Sequence, residues 1–449
     1  MDPPSLEELT RRQDEDVRAF EGRQEKLDIL MASRDLKALQ NVASRVMQKT
    51  ATKVFLIGQG GFNMVFAIQF EDGSDIVARA HGSHALQDVN TPKEEILFRI
   101  ESEFATIRYL KEKTTIPVPE VLHLDIKFDN SVGAPYTLQE RIIGRKLADM
   151  LPWKGEGMSS DQLVKVVQQV AQCEAQLLQL SFDAIGSIMY DSVTAEYRVD
   201  RAISWSSFGP DHRGPWNSTS DYLHSLVSLQ RGTLRKSDWI ENRKKWLSDF
   251  NDMIESPLED IEAEARADHA HYTSWFAMLE EALVQVDFSA FDPPNYPFVL
   301  VHDDLSVGNV LIDYADPSCM HNIIDWEGSS VVPFWLALST KLIAYNDLYD
   351  QPLVAQLLAA RLDVLKASVK SFPDKDTLSA MQKLIGLHTI LAKVKLHNLP
   401  AAIATKAVDN FVKSRSSNEV DHFKPMMELG RAYVNPQSRE IGRLLGWKT

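Results

Sequence analysis

The chain has 449 residues, and its 48 Lys+Arg stand against 63 Asp+Glu for a formal charge of −15. So acidic a balance, with no clustered basic segment, is repelled by phosphate backbones and anionic bilayers and excludes nucleic-acid and membrane partners. Hydrophobic residues at 44% are enough for a large core, while two cysteines, Cys173 and Cys319, are too few for a disulfide framework or a cysteine zinc site and fit a reducing compartment.

In chain order, Asp2, Glu7 and Glu8 put acid where a secretory or transit leader carries little, so the expected location is the cytoplasm. Ser5 with Glu8 makes a capping-box pattern. From there to about Lys49, Leu6, Leu9, Val17, Phe20, Leu27 and Leu30 recur near helical spacing. Residues 1–50 are therefore predicted as an N-terminal helical extension. From Lys53 the pattern changes to β-branched and aromatic runs at residues 53–57, 64–70 and 75–79, separated by turn signals at 58–63 and 71–74, which predicts an antiparallel meander. A helix over 93–113 follows, stopped by Ile116-Pro117-Val118-Pro119, and two more strands are expected at 121–126 and 136–142. Beyond Gly144 the chain reads as helical, apart from one β interruption over 299–326. Its longest apolar run, 331–345, is broken by Ser339, Thr340 and Lys341 and falls short of the roughly 18 to 20 residues that span a bilayer. The fold class expected is α+β and bilobal: a small antiparallel-sheet lobe over 51–143, a helical lobe over 144–449, and a hinge near Glu140 to Gly144.

The segment His302-Asp303-Asp304-Leu305-Ser306-Val307-Gly308-Asn309 sets an acid and an amide five residues apart on one loop. A short hairpin then returns Ile323-Ile324-Asp325-Trp326-Glu327 beside them. Phosphoryl transfer needs this arrangement. Asp304 can accept or orient the proton of an attacking hydroxyl, and Asn309 and Asp325 offer hard oxygens to a Mg²⁺ that bridges nucleotide phosphates.

These residues resemble the aminoglycoside phosphotransferase and choline kinase branch of the protein-kinase-like fold, in particular its fungal members. The similarity continues upstream in register: Gly60-Gly61-Phe62-Asn63-Met64-Val65-Phe66 resembles the nucleotide loop, Ser102-Glu103-Phe104 the ion-pairing helix, and Gly133-Ala134-Pro135-Tyr136 the approach to the hinge. The resemblance implies a kinase with ATP and Mg²⁺ as cofactors and a small-molecule acceptor. It implies Asp304 as catalytic base, His302 as a brace of the catalytic loop (301–327), and Asn309 and Asp325 as metal ligands. Gly60, Gly61, Phe62 and Asn63 would cradle phosphate, Arg79 and Glu103 would form the phosphate-holding ion pair, and Gln139, Glu140 and Ile142 would meet the adenine. The sequence is silent on oligomeric state.

Two positions depart from the family pattern. Arg79 stands where a lysine is common, and its planar fork is aimed differently from an ammonium. Trp335 stands where many members carry an aspartate before Leu-Ala, and it cannot accept a hydrogen bond. The helical stretch 199–291 holds Trp205, Trp216, Trp239, Trp246 and Trp275, which read as core in preference to a ligand wall. The acids between Asp249 and Asp268 read as a solvated helix face in preference to a cation-attracting surface. Two alternatives stay open beside a kinase: a nucleotide-binding regulatory protein that has lost transfer, and a nucleotidyl transferase. The absence of an Ala-Pro-Glu segment argues against a regulated protein kinase.

Overall fold

The computed structural model describes residues 3–18, 31–32, 34–60, 62–81, 92–152, 157–203, 213–251, 260–284, 286–339, 342 and 351–393. Gly61, Trp205, the acids from Asp252 to Glu259 and the part of the expected helical region beyond residue 393 lie outside these residues.

Ser5 Oγ accepts the Glu8 amide at 3.2 Å and starts α1 (Leu6–Arg18). Asp35 caps α2 (Leu36–Met47) by accepting the Ala38 amide at 2.8 Å. Then β1 (Ala51–Gln59), β2 (Asn63–Phe70), β3 (Asp75–His81), β4 (Val121–Asp125) and β5 (Tyr136–Glu140) form one antiparallel sheet in the order β1-β2-β3-β5-β4. The period of two decides which way each side chain faces. Met64, Phe66, Ile68 and Phe70 of β2, and Ile76, Ala78 and Ala80 of β3, join Leu39, Val42 and Ala43 of α2 in one buried cluster. Arg79, between two buried alanines, must therefore point to the opposite face.

Helix α3 (Lys93–Lys113) spans the residues expected of it. Glu94 and Glu95 in its first turn and Lys111 and Lys113 in its last oppose the helix dipole favourably. Thr114 leaves the helix in an extended conformation just ahead of the Pro117 and Pro119 block. Its buried residues, from Glu95 to Leu110, are not confined to one stripe, as suits a helix enclosed on several sides.

Past the hinge, β6 (Arg145–Lys146) pairs with β10 (Val310–Ile312), which pairs in turn with β11 (Met320–Ile323). Gly144 is required here: a Cβ would stand 3.0 Å from Leu311 Cβ and 3.2 Å from the Ile312 oxygen. The larger core is helical. α4 (Ser160–Leu177), opened by a capping box of Ser159 and Gln162, packs on α9 (Gln351–Ser368), where Arg361 grips Glu174 at 2.7 and 2.9 Å. α5 (Thr219–Leu234) and α6 (Trp239–Asn251) pack on α7 (Ile261–Val284), and α10 (Lys375–Lys393) packs on α5. The expected α+β architecture, a sheet-bearing lobe and a helical lobe, is the one observed.

Besides the two-residue β6, two β features depart from the helical expectation after Gly144. β7 (Ser187–Asp191) and β8 (Glu196–Asp200) form a hairpin whose turn is set by Asp191 Oδ1, which accepts the amides of Val193 and Thr194 at 2.8 and 3.2 Å. β12 (Ser330–Pro333) pairs with β9 (Phe298–Val301), so the second β region runs past Trp326. Gly186 exchanges backbone hydrogen bonds with Val331 at 3.0 and 2.7 Å and fastens the hairpin to β12. A Cβ on Gly186 would stand 1.9 Å from the Asp200 carbonyl oxygen. Gly186→Ala is expected to cost about 3 kcal/mol, the upper end of overpacking penalties, read as a lowered midpoint in thermal or urea unfolding.

Tryptophan placement follows the core reading. Trp216, Trp239 and Trp275 are buried in the large hydrophobic cluster. Trp246 is half-buried, with the Arg243 guanidinium 4.5 Å from its ring centre. Among the acids of the 249–268 stretch, Asp260 caps α7 by accepting the Ala263 amide, Glu262 pairs with Arg266 and Lys244, and Asp268 is buried against Arg243 at 2.5 Å. These described acids have structural partners. Among the described residues, no helix is long and apolar enough to cross a membrane.

Candidate active site

The catalytic loop is shaped by its own backbone. Leu305 N–H donates to His302 O at 3.1 Å, Ser306 N–H to Asp304 O at 2.8 Å and Asn309 N–H to Ser306 O at 3.0 Å. These bonds leave Asp304 exposed at the tip. Asn309 Nδ2 donates to the Asp304 main-chain oxygen at 2.8 Å and to Asp304 Oδ2 at 3.1 Å, so the amide oxygen of Asn309 points away from the aspartate. The loop also holds the start of the large lobe, because Ala148 N–H donates to Val307 O at 2.9 Å.

Asp325 reaches the loop through the β10–β11 hairpin. Ile324 N–H donates to Asn309 O at 2.9 Å, which puts the next residue beside Asn309. Asp325 adopts φ 65°, a left-handed conformation that is uncommon outside glycine and that marks functional turns when the surrounding structure over-determines it. The determinants are visible: the Ile324 bond fixes one side, and Arg79 holds the side chain on the other. His302 is buried, its Nε2 faces Ile324 O at 2.9 Å, and its ring lies 4.5 Å from that of Trp326. It braces the segment that carries Asp325.

Arg79 crosses from β3 to this segment. One terminal nitrogen of Arg79 pairs with Glu103 and the other with Asp325 Oδ1 at 2.6 Å, with Glu327 Oε2 3.6 Å away. The ion pair expected between Arg79 and Glu103 is thus formed, and both side chains are largely enclosed, at 13% and 7% exposure. Burial alone would lower the arginine pKa, but Glu103, Asp325 and Glu327 outweigh it and keep Arg79 charged. Burial raises Glu103, with Arg79 acting against that and Asp325 adding to it.

Glu327 belongs to this site although sequence reading gave it no role. It is buried, it accepts from Asn63 Nδ2 at 2.9 Å, and burial followed by the negative charge of Glu103 pushes its carboxyl up to about 8. Its position two residues past Asp325 was the available signal, but only the fold shows that it meets Asn63, 264 residues earlier in the chain.

The nucleotide-loop residues are partly in view. Gly60 N–H donates to Asn63 O at 2.8 Å and closes the turn. The Arg99 guanidinium lies 5.4 Å from the Phe62 ring centre. Gln139 and Glu140 lie on β5, beside β3, and Ile142 follows the end of that strand. Gln139 is buried and donates to Thr137 Oγ1 at 3.1 Å. The Glu140 amide donates to Glu120 O at 2.8 Å, which removes it from the donors a base could use. Ile142 is half-buried beyond the end of β5.

Trp335 is fully buried, and its indole donates to Thr219 Oγ1 at 3.3 Å. The Thr219 amide in turn donates to Asp292 at 3.0 and 3.1 Å. A donor on α8 (Phe334–Ala337) thus meets an acceptor at the start of α5.

The donor set suits a cation of the Mg²⁺ type. Among the described residues no group of three or more His, Cys, Asp or Glu could hold a metal without other ligands. Asn309 and Asp325 provide one amide and one carboxylate, and Mg²⁺ ordinarily completes its shell from water and substrate phosphate oxygens.

Fungal proteins and solved phosphotransferase structures are among those similar to this chain. A subtelomeric hrmA-associated cluster protein of Aspergillus fumigatus is 24% identical over 327 residues, 65% of this chain and 60% of that protein. Altered inheritance of mitochondria protein 9 of Eremothecium gossypii is 25% identical over 360 residues, 72% of this chain and 55% of that protein. The chain thus spans little more than half the length of the curated relatives it matches. Among solved structures, an amicoumacin kinase in complex with AMP-PNP and Ca²⁺ is 13% identical over 90% of this chain and 94% of its own, at a TM-score of 0.43. The macrolide 2'-phosphotransferase of Brachybacterium faecium is 14% identical over 89% and 98%, at 0.38.

These relatives correct the cytoplasmic expectation. Altered inheritance of mitochondria protein 9 is named as mitochondrial in Eremothecium gossypii, Kluyveromyces lactis and Candida albicans alike. Asp2, Glu7 and Glu8 speak only for the stretch that contains them, and bulk charge carries no address. Residues 92–370 match the family described as the phosphotransferase enzyme family, and they hold Glu103, the catalytic loop and Asp325 in one continuous span. With that span covering more than half of its length, the chain belongs to the phosphotransferase enzyme family.

Proposed function

We propose that the protein is an ATP- and Mg²⁺-dependent phosphotransferase that moves a γ-phosphoryl group to a hydroxyl of a small molecule. The observation that carries this reading is the convergence of Asp304, Asn309, Asp325 and Arg79: one backbone bond joins Asn309 to the Asp325 segment, and one guanidinium joins that segment to Glu103. Asp304 orients the acceptor hydroxyl and takes its proton as the new O–P bond forms, while the β–γ bridging bond breaks and its electron pair leaves with ADP. Asn309 holds Asp304 in place through its Nδ2 and has its oxygen left for the cation. Arg79 meets phosphate charge from the β3 side. Bound Mg²⁺ supplies neutralisation of the phosphate oxygens at Asn309 and Asp325.

A second reading has one observation in its favour: Arg79 commits nitrogens to both Glu103 and Asp325, so phosphate and cation must share or displace those contacts. That arrangement fits a nucleotide-binding protein without turnover. Thermal unfolding with ATP separates the cases. The midpoint is expected to rise with ATP plus Mg²⁺, by about 2.7 kcal/mol of stabilisation at a hundredfold excess over Kd, and the gain should vanish with EDTA. ADP release in a screen of small alcohols and amino alcohols then supports transfer, and binding without release supports the second reading. A product heavier by AMP in mass spectrometry would identify a nucleotidyl transferase.

A further inference from the structure

The residues that hold α3 against the large lobe have no place in the chemistry described above, and they converge on one side chain. Glu95, in the first turn of α3, is buried; its Oε2 lies 2.7 Å from Arg213 and 3.4 Å from Arg201. The Arg201 guanidinium also stacks 3.8 Å from the ring centre of Phe98, which clusters with Met189 and Ile203.

The segments that carry the two arginines are tied to each other and, through Ile203, to the large lobe. Ala202 N–H donates to Arg213 O at 2.6 Å, and Ile203 N–H donates to Ser187 Oγ at 3.2 Å. Ser187 opens β7, whose neighbour Gly186 is bonded to Val331, six residues after Asp325. The path from the Asp325 segment therefore runs through β12, β7 and the two arginines to Glu95.

On α3, residues four apart lie one above another. Glu95, Arg99 and Glu103 consequently share a face. Arg99 lies against Phe62 of the nucleotide loop, and Glu103 pairs with Arg79, which returns to Asp325. The circuit closes on the segment where it began. An axial slide or rotation of α3 moves Glu103 relative to Arg79, and Glu95 between its arginines is a contact that opposes such movement at the N-terminal end.

We propose that Glu95, gripped by Arg201 and Arg213, is a positioning residue that fixes α3 on the large lobe and thereby sets the Arg79–Glu103–Asp325 contact on which nucleotide binding depends. This rests on the reading of Arg79 as a phosphate-holding residue. Glu95 itself touches neither phosphate nor acceptor; it acts through Glu103.

The test is a double-mutant cycle on the full chain, with AMP-PNP and Mg²⁺ as the probe. Glu95→Gln is expected to weaken AMP-PNP binding about tenfold, within the range of coupled neighbours. In a Glu103→Gln background the same change should have no further effect, because the contact through which Glu95 acts is already gone. Additive losses in the double variant would overturn the proposal, since a merely structural residue destabilises irrespective of Glu103. The milder Arg201→Gln, at a half-exposed position, gives the same cycle if Glu95→Gln folds poorly. Amide exchange over residues 93–103 is a second readout and needs no ligand: faster exchange in Glu95→Gln supports the clamp, and unchanged protection overturns it. Should the wild-type chain fail to bind AMP-PNP, the phosphotransfer reading falls, and the exchange measurement still decides the clamp.

Discussion

Asp304→Ala is expected to lower ATP-dependent turnover by about 10²–10⁴-fold, the usual contribution of a positioned general base, while nucleotide affinity and folding survive. The separation follows from where the loop keeps its structure. The bonds that shape it are main-chain to main-chain, His302 is held by Ile324 O, and Asn309 keeps its 2.8 Å bond to the residue-304 carbonyl whatever the side chain. Only the 3.1 Å contact from Asn309 Nδ2 to the carboxylate is lost, at an exposed position, so stability should stay within about 0.5 kcal/mol of wild type. Steady-state turnover beside AMP-PNP affinity and thermal unfolding reads all three quantities. Turnover at the wild-type rate would remove Asp304 from its assigned role.

Arg79→Ala carries the largest stability cost expected in the chain. It leaves Glu103 and Glu327 buried without their cation, and removing one partner from a buried ionic cluster costs about 3–5 kcal/mol. The loss depends on pH, with a sign that can be worked out. Burial already raises both carboxyls, Glu327 to about 8, and without Arg79 they rise further. A native state holding protons that the unfolded chain releases above about pH 4–5 loses stability as pH increases. The deficit of Arg79→Ala relative to wild type should therefore widen as pH rises past the raised wild-type pKa values of these two carboxyls, the Glu327 part of it above about pH 8. Urea unfolding at several pH values measures it, and a deficit that narrows with rising pH contradicts the assignment of burial as the cause. Arg79→Lys keeps the charge but lacks the fork that spans Glu103 and Asp325, so its stability and AMP-PNP affinity should fall between those of wild type and alanine.

Much of the small lobe was legible in residue order because its determinants are local. Period-two burial in β2 and β3, turn residues at 71–74 and the proline block after Lys113 are short-range effects, and the observed strands and helix follow them to within a few residues. The β7–β8 hairpin carried a weaker signal, an Asp-led turn between two five-residue runs of which only Glu196–Asp200 alternates. It was submerged in a helical reading of its surroundings. The chemistry-bearing loop was legible because the acid and the amide sit five residues apart, a spacing that the loop's own hydrogen bonds convert directly into contact.

Residue order by itself determined an acidic chain, the strands and helix of the small lobe, and the loop that sets Asp304 and Asn309 five residues apart. What only the tertiary structure decided are the contacts between distant segments: Asn63 with Glu327, 264 residues apart, Trp335 with Thr219, 116 apart, and Glu95 with Arg213. Each joins surfaces that face one another only after separate elements have packed, and no local propensity or period encodes which polar group a buried side chain will meet there. The physical reason is the cost of burying a polar group without a partner. That cost forces every enclosed charge to find one, but the identity of the partner depends on how whole elements dock against one another.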